Sequence, residues 1–304
     1  MSAQYPVCPK GPIDIILDTD AYNEIDDQFA ISYALHAPEK LTVKAFCAAP
    51  FHNSRSNGPA DGMERSFQEI LKLLKLAGRE DMIPVTFRGS DAYLPDEKTP
   101  VESESARKIV EIARNYTKEK PLYVVAIGAI TNVASALLMD PGIAEKIVIV
   151  WLGGHAFHWV DNKEFNLYQD VAAARVIFGC GAPVVQLPCC GVVDQLRTTK
   201  PELIHWLRGK NALCDYLCDN TIEEAESYAK GKPWSRVIWD ISAIAWLLND
   251  SGKLMQSRPE HSPICQYDHH YSFDPRRPMI CYVWNISRDA VFADLFSRLT
   301  GENI

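Results

Sequence analysis

The chain has no stretch near the roughly 18 uncharged apolar residues of a membrane span. Its opening segment "MSAQYPVCPKGP" also lacks the apolar core of a signal peptide. A membrane partner is therefore excluded, and a cytoplasmic location is expected. No window is dominated by basic residues, and 31 Lys+Arg stand against 39 Asp+Glu for a formal charge of −8, which argues against a nucleic-acid polymer as partner and for small polar ligands. The fingerprints G-x-G-x-x-G, G-x-x-x-x-G-K-[ST] and G-x-S-x-G are all missing, so nothing points to a nucleotide cofactor or a nucleophile elbow. No C-x2-C pair occurs among the nine cysteines, several of which lie in apolar runs where cysteine acts as a small hydrophobe; a reducing interior is read from them. Finally, no Pro/Gly/Ser linker or internal repeat divides the sequence, and residues 1–304 are read as a single domain.

What is present is a full complement of strand-length apolar runs, at 13–17, 41–48, 82–87, 122–128, 147–154, 183–187 and 279–284. Between them, helical spacing marks 26–37, 62–77, 103–116, 131–140, 170–179 and 236–248. Alternation of strand and helix, with strands apolar on both faces, predicts an α/β fold with a doubly wound, mostly parallel central sheet flanked by helices. Residues 189–235 read as an added helical layer, and 251–278 as a long loop before a last strand and a last helix.

The stretch "IILDTDAYNEIDDQFAI" (15–31) places Asp18, Asp20, Glu24, Asp26 and Asp27 directly behind an apolar run. Like charges this close repel and raise one another's pKa values unless something positive sits among them. Asp26 and Asp27 could cap the following helix, but Asp18 and Asp20 end a buried strand and have no such role. Oxygen donors converging from a strand end and a helix start suit a hard divalent cation, Ca2+ or Mg2+, with a neighbouring carboxylate acting as base on water. In an open sheet, such groups stand where ligands bind, beyond the carboxyl ends of the strands.

Two families open with D-x-D. A haloacid-dehalogenase-type phosphatase would use Asp18 as nucleophile, but Tyr22 stands where Thr or Val is usual, and the pair Asp26-Asp27 has no place in that scheme. The sequence resembles the nucleoside hydrolases, the inosine-uridine-preferring group and its relatives, at four places: D-x-D followed by DD; "AIGAITNVASALLMDP" (126–141); "IVWLGG" followed by "EFNLYQDVAAARVIF" (164–178); and "VIWDISAIAWLL" (237–248). The resemblance implies Ca2+-dependent cleavage of the N-glycosidic bond of a ribonucleoside or related riboside. It implies Asp20 as general base supported by Asp18, and Asp20, Asp27, Asp240 and the Ile127 carbonyl around the metal. Asp26, Glu164 and Asn166 would bind the ribose hydroxyls. Carboxylates also suit the oxocarbenium-like sugar of such a reaction. Relatives form dimers or tetramers, so a homodimer or homotetramer is expected.

The chain departs from the family pattern in places. Its motif is D-x-D-x5-DD instead of D-x-D-x3-DD, so Asn23 or Glu24 reaches the metal or the sugar, or faces water. "AAPFHNSRSNG" replaces A-G-N after the second strand, making Asn53 and His52 candidates for that sugar contact, and Asn162 is a candidate for an Asn expected before Glu164. Trp239 stands where many members have His, as in the purine-specific branch, where an aromatic stacks on the base, or else it is core; a purine preference follows from the stacking. His155, His158 and Trp159 are further candidates for touching the base. Thr131-Asn132 read as a helix N-cap pair and Gly153-Gly154 as a tight turn, while Phe165 is core or pocket wall. A catalytically weak nucleoside- or ribose-binding protein is the remaining alternative.

Overall fold

A computed structural model describes residues 5–304. Six strands, β1 (Ile13–Thr19), β2 (Leu41–Ala48), β3 (Thr86–Phe87), β4 (Leu122–Ala126), β5 (Ile147–Leu152) and β6 (Val184–Leu187), join with Met279–Ile286 and Met255–His261 in one eight-stranded sheet. The spatial order is β3-β2-β1-β4-β5-β6, then Met279–Ile286, then Met255–His261. Every pairing is parallel except the last. β4 and β5 are buried along their whole length, as a sheet covered on both faces requires.

The helices are α1 (Asp27–Leu35), α2 (Pro59–Leu76), α3 (Glu104–Ala113), α4 (Thr131–Met139), α5 (Phe165–Gln169), α6 (Val171–Gly179), α7 (Lys200–Trp206), α8 (Ala212–Ala229), α9 (Ile241–Leu247) and α10 (Arg288–Thr300). One core cluster gathers the apolar faces of α1, α2, α8, α9 and α10, and the other those of α3, α4 and α6. Helix α1 is buried on every side, packed among α2, α9 and α10, which explains its unbroken small and apolar sequence. The chain winds one way from β1 through β2 to β3 and the other way from β1 through β4, so the sheet's switch point lies between β1 and β4. Asp18 and Asp20 sit at the carboxyl end of one of these strands and Ile127 at that of the other.

Two expectations need correction. The strand expected over 82–87 is confined to Thr86–Phe87, because Glu80–Val85 forms a 3-10 turn around Pro84, which has no N–H to give a ladder. The loop expected over 251–278 contains the antiparallel strand Met255–His261 and a short ladder between Ile264–Cys265 and Tyr271–Ser272. The added helical layer is present as α7 and α8, with Arg197–Thr198 pairing Arg236–Val237 beside it. Among the described residues no helix is long and apolar enough to cross a membrane, and all nine cysteines are free.

Candidate active site

The floor of the site is acidic and buried. Asp18 is fully buried; its carboxylate accepts a hydrogen bond from the Asn132 amide at 2.8 Å, and burial pushes it up to about 7. Asn132 is itself held: its Oδ1 accepts from the Ser90 N–H at 2.7 Å and the Ser90 hydroxyl at 2.9 Å, while its amide also donates to the Ala48 carbonyl at 3.1 Å. The Thr131-Asn132 pair is therefore not a helix cap. Ile130 occupies the cap of α4 without a side-chain bond, and the Thr131 hydroxyl donates to Asp170.

Asp20 is also fully buried, and neither carboxylate oxygen has a donor among the described residues. Burial, then the charges of Asp27 and Asp26, raise its pKa well above the usual range. Its space depends on Gly128: a Cβ there would stand 2.9 Å from Asp20 Oδ1 and 3.2 Å from the Ala49 methyl.

Asp26, Asp27 and Asp240 each bring a carboxylate oxygen within 4.8 Å of the others. The trio expected with the Ile127 carbonyl was Asp20, Asp27 and Asp240; Asp26 joins Asp27 and Asp240 in the tight cluster, and Asp20 feels the charges of Asp27 and Asp26 beside it. Asp26 does not cap α1, for its side chain bonds no N–H of the first turn and accepts instead from the Trp239 N–H at 3.2 Å. The Thr19 hydroxyl donates to Asp27, which is pushed up to about 7, first by burial. Asp240 is raised by burial and by Asp26 and Asp27. Acids held this far from water, with two orphaned oxygens on Asp20, fit a hard divalent cation, because carboxylate oxygens are its preferred ligands and its charge removes the repulsion.

Above this floor opens a cavity of about 170 Å³, small beside the roughly 300 Å³ at which pockets for drug-sized ligands begin. One wall comes from α5 and the turn before it. Glu164 caps α5, accepting from the N–H groups of Asn166 and Leu167, each at 2.9 Å, and from that of Gly154 at 2.8 Å. The Asn166 amide donates to the Ile127 carbonyl at 3.3 Å and to the Leu152 carbonyl at 3.1 Å, so it orients the carbonyl expected beside the metal. Gly154 is obligatory here: its φ is +77°, and a Cβ would meet the Tyr271 hydroxyl at 2.0 Å. Phe165 is a pocket wall and Trp239 lines the cavity half-buried. His155 lines it too. Its Nδ1 accepts from the Cys190 N–H at 3.2 Å, which leaves the proton on Nε2, and burial lowers its pKa.

Other expected residues lie elsewhere. His52 is exposed, with its N–H on the Gln169 side chain, and outside the cavity. Asn53 does not line the cavity either; it reaches the site through Asn23, to whose Oδ1 it donates at 2.6 Å. His158 faces a separate cavity with Arg258, Tyr282 and Trp284. The Asn162 Oδ1 accepts from the His155 N–H at 2.9 Å and so fixes the turn. The reading of the sequence missed Cys189, Cys190 and Lys163, which line the cavity. Cys189 and Cys190 follow β6 directly, and the carboxyl-end rule applied to that strand would have found them.

Acids at the switch point of a doubly wound sheet, beneath a cavity with a half-buried aromatic wall, define a hydrolase site for a small polar substrate. Residues 15–270 match the inosine-uridine preferring nucleoside hydrolase family, and the chain belongs to that family. It is similar to the "Probable uridine nucleosidase 2" of Arabidopsis thaliana, 29% identical over 231 residues, 67% of each chain. It is also similar to the "Pyrimidine-specific ribonucleoside hydrolase RihA" of Salmonella schwarzengrund, 28% identical over 260 residues, 78% of this chain and 79% of that one. Among solved structures, the plant nucleoside hydrolase PpNRh1 has the same fold, with a TM-score of 0.76 at 23% identity, covering 96% of this chain and 100% of that one. Membership makes the chain an N-ribohydrolase, a metal-dependent class of enzyme. The phosphatase alternative falls away. Asp18, the would-be phosphatase nucleophile, has one oxygen engaged by Asn132, and since neither it nor Asp20 lines the cavity, the family match decides against the phosphatase.

Proposed function

We propose that the chain is a Ca2+-dependent N-ribohydrolase that releases ribose and a free base from ribonucleosides, with a preference for purines. The observation that carries the reading is the buried acid set: Asp26, Asp27 and Asp240 within 4.8 Å, and Asp20 beside them with both oxygens unpaired. Asp27, Asp240, Asp20 and the Ile127 carbonyl would hold the ion, with Asp26 gripping a ribose hydroxyl. When bound, the cation lowers the pKa of water and holds the ribose diol.

The rest is done by this chain's residues. Asp20 takes the proton of the attacking water as the water oxygen bonds to C1′ and the C1′–N bond breaks, its electron pair passing to the base. Asp18, anchored by Asn132, supports Asp20 from below. The acids stabilise the positive charge that builds on the sugar. Glu164 and Asn166 address the ribose hydroxyls, Asn166 also fixing the Ile127 carbonyl. His155, neutral and protonated on Nε2, donates a hydrogen bond to the base, and Trp239 stacks on it. The larger π-face of a purine gains more from that stacking, which supports the preference; the names of the two curated relatives favour uridine and pyrimidines instead.

A reducing-sugar assay on inosine, adenosine, guanosine, uridine and cytidine with calcium, and again after chelation, tests all of this. Ribose release that stops on chelation and returns with calcium is the expected result. A higher kcat/KM for uridine and cytidine would replace the purine preference with a pyrimidine one, and absence of ribose release would overturn the reading. The free cysteines support a reducing cytoplasm as its location. A homodimer or homotetramer is proposed as its state in solution, and sedimentation velocity checks it.

A further inference from the structure

Five of the nine large hydrophobic side chains exposed among the described residues stand together. Trp159, Val160 and Tyr168 belong to the turn before α5 and to α5 itself, and Tyr267 and Phe273 to the segment around the short ladder of Ile264–Cys265 and Tyr271–Ser272. The two segments are locked to each other. The Asn162 N–H donates to the His269 carbonyl at 2.7 Å, and the Tyr168 and His269 rings meet edge-on at 6.4 Å. Phe157 lies edge-on to Tyr271 at 5.2 Å and to Phe273 at 4.9 Å. The patch is therefore preformed, and a partner that covers it has little to order. Val160 is 81% exposed and Tyr267 59%, and aromatic rings gathered in this way mark a contact surface.

Charge decides what covers it. Within 157–168 and 266–278 the surface carries Asp161, Asp268 and Asp274 against Lys163, Arg276 and Arg277, three of each sign, on a chain whose formal charge is −8. The negative excess thus lies on the other faces, through which two copies repel. A nucleic acid or an anionic membrane requires net positive charge, and this patch has none. A second copy requires local neutrality with both signs present, because in an isologous contact the patch faces itself and its acids can meet the partner's bases.

We propose that this aromatic patch is the face through which two copies of the chain associate about a two-fold axis. The assignment gives a place to the oligomeric state proposed above and rests on it. Lys163 and Phe165 line the cavity and adjoin the patch in the chain, and the Phe165 ring lies 5.7 Å from that of Tyr168, so the contact forms beside the mouth of the active site.

Sedimentation velocity over a dilution series of the full chain tests it. The parent is expected to associate, and Trp159→Glu and Phe273→Glu each to raise the dissociation constant by roughly 30-fold or more, the scale of losing a central contact residue, so that a smaller species prevails at the same concentration. Tyr228→Glu, at an exposed aromatic on α8 outside the patch, is expected to sediment as the parent does. A parent that is monomeric at every concentration would overturn both the patch and the proposed state, and would leave the surface to a different protein. An associated parent that neither patch variant dissociates, or that Tyr228→Glu dissociates equally, would overturn the patch alone. Flotation of the parent with phosphatidylcholine–phosphatidylserine vesicles would also overturn it, by showing that the patch meets lipid. Melting curves identify a variant that fails to fold, and Tyr267→Glu then takes its place under the same criteria. None of these outcomes touches the hydrolase reading, which ribose release tests separately.

Discussion

Asp20 differs from an ordinary helix-capping acid in one respect, that nothing donates to it. A buried carboxylate without partners is costly, and its retention points to a role met only when water and substrate are present. Asp20→Asn is expected to keep the fold and lose about 10²- to 10⁴-fold in kcat, since an amide cannot take the proton of water; a steady-state assay of the folded variant measures it, and a kcat within a few-fold of the parent would remove Asp20 from this role. Asp27→Ala and Asp240→Ala should lose calcium occupancy and activity together, as read by elemental analysis beside the assay. At Trp239, replacement by Ala should narrow the purine-to-pyrimidine ratio in kcat/KM by an amount set by stacking, worth roughly 1–3 kcal/mol per base in nucleic-acid binding proteins. A uniform loss on all substrates with early melting would assign the indole to the core instead. The acids could be read from the sequence because five of them in so short a stretch is improbable without a counter-charge. His158 and His52 could not be placed, because a side chain's direction out of a loop is set by tertiary packing and leaves no periodic trace.

Among the elements, the lengthened β1–α1 loop departs most from the family pattern, and the structure explains how it is kept still. Glu24, which lines the cavity beside the acid cluster, pairs with Arg236 at 2.7 Å, and Arg236 also meets Glu224 of α8 at 3.3 Å. Arg236 stands just ahead of Trp239 and Asp240, so this ion pair ties the opening loop to the segment that carries the base wall. Arg236→Met should destabilise the chain by about 1.5 kcal/mol, the low end for hydrogen bonds to charged groups because Glu24 is 43% exposed. Urea denaturation measures it, and an unchanged midpoint would show that the ion pair does not secure the loop. The seven expected strands all appear, one of them shortened at Pro84, as do the helices between them, because covered parallel strands advertise themselves as apolar runs. The strand Met255–His261 escaped notice for the converse reason: most of its residues are exposed, it contains Pro259, and so it carries neither an apolar run nor an alternation.

For the molecule as a whole, burial of several acids in one place sets the folded state against its own charge. A cation that binds only the folded chain adds about 2.7 kcal/mol at a concentration 100 times its Kd, so calcium should raise the melting temperature and a chelator lower it. Differential scanning calorimetry with and without calcium measures this; identical curves would mean that the acid set takes up no calcium. The sheet's two margins bear on how copies of the chain meet. At one margin β3 is only two residues long, and at the other the outer strand is interrupted by Pro259 between Arg258 and Glu260. Neither margin can template another strand, so the sheet cannot run on from one molecule into the next. Any contact between copies would then run through helices and loops and not through a shared sheet.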